Sequence, residues 1–78
     1  MRRDPMETRA EHLAWCKQRA LELVDRGDLA QAVSSMIGDM LNHPDTAKTV
    51  DPMLSFIGME RVMVGDSRGV RKWIEDFG

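Results

Sequence analysis

From Leu29 to Leu41 the chain carries a pattern that only a helix satisfies. Leu29, Ala32, Val33, Met36, Ile37, Met40 and Leu41 follow the i, i+3, i+4, i+7 spacing without a gap. The run is punctuated at both ends. Gly27 can take the left-handed conformation that closes a preceding helix, and Asp28 can cap the next one. Pro44 forbids continuation on the far side, because its ring removes a donor and crowds the preceding turn.

The rest of the chain reads the same way. Thr8-Arg9-Ala10-Glu11 has the form of a capping box, and Leu13, Cys16, Ala20, Leu23 and Val24 make an apolar stripe behind it. Asp51-Pro52 opens a further helix, with the aspartate as cap and proline at the first helical position. That helix is apolar on nearly every side: Met53, Leu54, Phe56, Ile57, Met59, Val62 and Met63. Such a helix is either central or half covered by a partner. Gly65-Asp66 breaks it and caps a last helix with Val70, Trp73, Ile74 and Phe77 on one stripe. Residues 45–50 read as a loop or short turn with room for one helical turn. No alternating strand pattern is present in the sequence. The expectation is therefore an all-α fold, four helices in two hairpins over about 8–26, 28–42, 52–64 and 67–77. Residues 8–78 would form a single helical domain behind a loose N-terminal extension, 1–7.

Shifted by 38 residues, the chain partly matches itself. Gly27-Asp28 falls on Gly65-Asp66, Ala20 on Gly58, Val24 on Val62, Ala32 on Val70 and Met36 on Ile74. Small residues thus recur where two paired helices come closest, which suggests two stacked hairpins. Over residues 13–44, the set Ala20, Leu23, Gly27, Asp28, Ala32, Met36 and Pro44 resembles one tetratricopeptide repeat. Asp39 departs from that family, which has a small residue there. A second resemblance spans residues 8–77. "EHLAWCKQRALELVDRGDLAQAVSSM", "HPDT" and the ending "RKWIEDFG" look like short uncharacterised proteins of tailed bacteriophages and prophages. That resemblance implies a small accessory protein acting on a host component, and brings no site residues with it.

Size and charge narrow the function classes. A chain of 78 residues buries only about 60% of its unfolded surface, so its core is small and partners often help. A net charge of −2 is the wrong sign for a protein living on nucleic-acid phosphates. The one cysteine, Cys16, cannot form an internal disulfide, which fits a reducing compartment. Met1-Arg2-Arg3 leads into Asp4-Pro5 with no apolar run of a signal peptide, and no stretch approaches the ~18 apolar residues of a membrane span. The expected location is the cytoplasm, that of the host cell if the chain is phage-encoded.

Candidate sites follow from residue type and spacing. His12 and Cys16 are four apart, a spacing that suits two metal ligands. No third and fourth ligand fall at matching positions, and Cys16 lies on the apolar stripe, where a thiol acts as a small hydrophobe. No metal and no cofactor is expected. A Cys–His nucleophile pair would also need an oxyanion site, and the sequence offers neither that nor a glycine-rich phosphate loop, so the chain is not expected to be an enzyme. Arg26-Gly27-Asp28 spells an adhesion tripeptide, but its glycine and aspartate already serve as helix stop and helix cap.

Partner binding is the remaining class. Trp15 lies off the buried line of its helix, and tryptophans are enriched at interface centres. Met53, Phe56, Met59 and Met63 crowd one helix with more apolar surface than a small bundle readily hides. Arg68, Arg71 and Lys72 sit at the N-terminal end of the last helix, against its dipole at a cost of about 0.3–1 kcal/mol each. The i, i+4 pairs Arg71–Glu75 and Lys72–Asp76 return only about 0.2–0.5 kcal/mol each. With Arg61, these cations would make a basic spot for an acidic surface. The resulting expectation is a protein-binding module that occludes a host, phage or defence protein, in the manner of an anti-CRISPR; pairing with itself as a homodimer through the same helix is compatible with that reading. The alternatives are a small nucleic-acid binder using the basic helix, and an assembly accessory that acts by homo-oligomerisation.

Overall fold

The computed structural model describes residues 8–77. The extension expected at 1–7 lies outside the described residues. Five helices follow one another: α1 (Arg9–Asp25), α2 (Leu29–Leu41), α3 (Pro44–Ala47), α4 (Pro52–Met63) and α5 (Ser67–Glu75). No strand occurs among the described residues. No helix among them is long and apolar enough to cross a membrane.

The helix starts are those that the capping chemistry dictates. Thr8 Oγ1 accepts from Glu11 N at 3.1 Å while Glu11 Oε1 accepts from Thr8 N at 3.0 Å, completing the box. Asp28, Asp51 and Asp66 each accept the amide three residues on, from Gln31, Leu54 and Gly69. Each such cap satisfies an otherwise orphaned donor and is worth about 1 kcal/mol.

The 38-residue echo is built into the two glycine turns. Gly27 and Gly65 are the two described residues of positive φ, at 79° and 69°. Asp28 N donates to Leu23 O at 2.9 Å and Gly27 N to Val24 O at 2.9 Å. Asp66 N and Gly65 N do the same to Arg61 O and Val62 O, at 2.9 and 3.0 Å. Both turns are one and the same helix-terminating motif, in which a left-handed residue lets two amides cap the last carbonyls.

The fifth helix, α3, is a single turn that starts at Pro44 and runs into the 45–50 segment. His43 Nδ1 accepts from Asp45 N at 3.1 Å, Pro44 occupies the first helical position, and the fully buried Thr46 donates its hydroxyl to Met40 O at 2.6 Å. Ala47 N closes the turn on His43 O at 2.8 Å.

Three helices make the core. α1 contributes Leu13, Cys16, Ala20 and Val24, α2 contributes Ala32, Val33, Met36 and Met40, and α5 contributes Val70, Trp73 and Ile74, with Phe77 just beyond it. Ala20 and Ala32 have no exposed surface and let α1 and α2 run close. The last helix is tied to α1 through polar contacts. Lys17 Nζ donates to Glu75 O at 2.9 Å, placing a cation on the C-terminal carbonyls of α5 where the dipole favours one, and Arg71 pairs with Asp25. α4 packs on α2 and α5 and not on α1, so it lies at the margin of the bundle.

Candidate protein-binding face

α4 turns its smallest side to the core. Gly58 is its one buried residue, with Leu54 and Val62 partly buried a turn to either side. A Cβ on Gly58 would lie 2.8 Å from Trp73 Cζ2 and 3.1 Å from Val33 Cγ1, so the glycine is what allows the indole to reach the α4 backbone. There Trp73 Nε1 donates to Leu54 O at 2.9 Å, and Phe77 packs edge-on against the same ring. Local sequence and tertiary contact therefore agree on the orientation of α4: the 54–58–62 line faces in.

The opposite line carries the apolar bulk. Met53 is 67% exposed, Phe56 72%, Met63 84% and Val64 68%, with Ile57 and Met59 about two-fifths exposed at the flanks. These six side chains present roughly 700 Å² of apolar surface, above the few hundred Å² that an isolated soluble chain normally leaves contiguous. In its midst stands Glu60, itself exposed. Of the two possibilities for a helix apolar on all sides, α4 is the uncovered one.

Next to this face, α4 and α5 enclose a half-open groove of about 510 Å³. Leu54, Ile57, Trp73 and Phe77 give it an apolar lining, and Arg61 and Lys72 line it together with the carboxylates of Asp66 and Asp76. The structure thus brings two of the four candidate cations together. Arg68 is exposed further along α5. Arg71 is drawn to Asp25 instead of Glu75, whereas Lys72 makes the expected pair with Asp76 at 3.3 Å. Nothing in the sequence spacing could have shown the Asp25 contact, which spans 46 residues.

Trp15 lies elsewhere. It is half-buried, packed against the core from α1, stacked on His12 with ring centroids 5.6 Å apart, and covered by the Arg19 guanidinium at 4.8 Å. Arg19 Nε in turn donates to Asp39 Oδ2 at 2.8 Å, and Ser35 donates to the same oxygen at 3.3 Å. His12 is fully buried and Nε2 donates to the Asp39 carbonyl at 2.7 Å, which fixes its tautomer because a carbonyl can only accept. His43 approaches the other side of that ring, with centroids 5.0 Å apart. Asp39 is thus a polar hub, its carboxylate held by Arg19 and Ser35 and its carbonyl by His12. Cys16 is buried, and among the described residues no three His, Cys, Asp or Glu side chains gather as metal ligands.

No family model, curated protein or solved structure matches the chain.

Proposed function

We propose that this chain is a binding module without chemistry of its own, and that it acts by laying the α4 face over the surface of another protein. The single observation behind this reading is the contiguous apolar surface of Met53, Phe56, Ile57, Met63 and Val64 on a helix that the core covers on one side only. Adaptable methionine side chains around a rigid aromatic suit such a contact. We read Arg61, Arg68 and Lys72 as cations that would bias approach toward acidic surface, an effect on association rate more than on affinity that the neighbouring Asp66 and Asp76 reduce. The scaffold we read as two helical hairpins, the first, α1 and α2, of tetratricopeptide-like packing and the second, α4 and α5, presenting the face. The resemblance to phage and prophage proteins makes a host or defence protein the proposed target, occluded in the cytoplasm of the host cell.

The test is capture from nuclease-treated host lysate with the full chain and with a Phe56→Asp/Met63→Asp variant as baits. A protein held by the wild type and lost from the variant, at unchanged helicity, supports the reading. Equal capture by both baits refutes it. A partner lost on nuclease treatment, and lost again on charge reversal of Arg68, Arg71 and Lys72, would replace it with the nucleic-acid reading.

A further inference from the structure

The apolar face of α4 has a symmetry that a foreign partner would not require. On the outer face, away from the inward 54–58–62 line, residues equidistant from Gly58 match: Met53 mirrors Met63, Ile57 mirrors Met59, and Pro52 mirrors Val64 at the helix C-cap. The pair at the middle of the face, Phe56 and Glu60, does not match. A two-fold interface suits this pattern, because there each residue i that meets j also finds j meeting i, and apolar then meets apolar. We infer that the α4 face pairs antiparallel with the α4 face of a second copy of this chain, the two-fold axis passing level with Gly58. The inference rests on the reading of α4 as a protein-docking face and names the occupant that face takes in the purified chain.

Area allows this arrangement and charge sets its direction. The six exposed residues offer roughly 700 Å² per chain, backbone included, so two chains could bury up to roughly 1,400 Å² from them, within the range of about 1,200–2,000 Å² for specific interfaces. Two such helices at 8–10 Å between axes stack in layers: Met53 on the second copy's Met63, and Phe56 on the second copy's Glu60. Ile57 and Met59 close the two flanks next to the axis. In this antiparallel register the two Glu60 carboxylates are displaced by about 6 Å along the axis, each level with the second copy's Phe56. A parallel pair would set them side by side in the seam, where two like charges repel. Glu60 therefore selects direction at some cost in affinity, as a single polar seam residue does in coiled coils.

Sedimentation equilibrium of the full chain, from about 1 µM to about 1 mM, measures the association directly. The expected result is a species of twice 8.9 kDa that Phe56→Asp and Met63→Asp return to monomer with unchanged circular dichroism. Glu60→Leu should tighten the dimer by about tenfold or more. If instead the occupant is a foreign basic helix, Glu60→Leu leaves self-association absent and weakens the foreign complex. Direction is read by oxidative cross-linking. Met53→Cys/Met63→Cys should link two chains, while either single substitution should not, since residues 53 and 63 lie about 15 Å apart along one helix. Efficient cross-linking of the single variants would show a parallel pair and overturn the inference. A monomer at every concentration would overturn it too, as would a dimer indifferent to Phe56→Asp. In those cases the wider docking reading is judged separately, by whether Phe56→Asp still releases the captured protein.

Discussion

Gly38 and Gly58 both stand inside helices, yet alanine should move their stabilities in opposite directions. At Gly38 of α2 an added Cβ meets nothing within 4 Å, so Gly38→Ala should return the ordinary helix-propensity difference, a gain of about 1 kcal/mol. At Gly58 the same methyl would enter the indole of Trp73 at 2.8 and 2.9 Å. The ring cannot swing aside cheaply, since it is 7% exposed, held by its hydrogen bond to Leu54 O, and flanked by Phe77. Overpacking of this kind costs about 1–3 kcal/mol and shifting α4 outward would stretch that hydrogen bond, a further ~1 kcal/mol. After the propensity gain, Gly58→Ala should lose about 1–3 kcal/mol, which leaves the two variants about 2–4 kcal/mol apart. Urea unfolding followed by circular dichroism reads the difference, and in thermal melts each kcal/mol corresponds to about 4–8 °C for a chain of this size. In a Trp73→Phe background the clashing atoms are gone, so the penalty at Gly58 should shrink and the two substitutions should be non-additive. Should Gly58→Ala stabilise as Gly38→Ala does, or add to Trp73→Phe without coupling, the account of how α4 is seated is wrong.

Asp66→Ala removes the cap that Gly69 N donates to and should cost about 1 kcal/mol in the same urea assay, with Asp66→Asn recovering most of it. Trp73→Phe loses the bond to Leu54 O and part of the core volume, and should cost about 2–3 kcal/mol with a loss of the near-ultraviolet signal of the buried indole. Arg71→Ala breaks the contact with Asp25, but both side chains are largely solvated, so the expected loss is below about 1 kcal/mol and vanishes at high salt.

The parts of the fold that could be read from the sequence are those whose physics is local. Thr8, Asp28, Asp51 and Asp66 act within three residues of their own position, and each caps the helix it was expected to cap. Gly27 and Gly65 act through their own φ angles, and both turns follow. The 45–50 segment has room for one helical turn, and α3 takes it up from Pro44 on; what secures that turn is Thr46 reaching Met40 O, a contact no spacing encodes. The reversed charges of α5 looked uncompensated for a similar reason: the relief comes from Lys17 and Asp25 on α1. At the candidate face, composition already pointed to Met53, Phe56, Met59 and Met63. Which side of α4 they occupy depended on Gly58 and Trp73 meeting across 15 residues. Trp15 was read as lying off the buried line, but the contacts that half-bury it come from His12 on its own helix and from Arg19, which Asp39 positions.

The seating of α4 also sets how the chain breathes. One glycine, two partly buried side chains and the bond from Trp73 to Leu54 O hold this helix to the rest, and full burial of an aliphatic side chain is worth only about 1.5–3 kcal/mol. α4 can therefore lift from α2 and α5 as a unit at a fraction of the free energy needed to separate α1 from α2. Its amides should be the first helical ones to exchange with deuterated solvent, well before those around Ala20, Ala32 and Met36. Whatever covers the outer face then closes this local opening, and slows exchange along α4 by the factor 1 + [L]/Kd. The helix that meets the partner would thus report its own occupancy, one amide at a time.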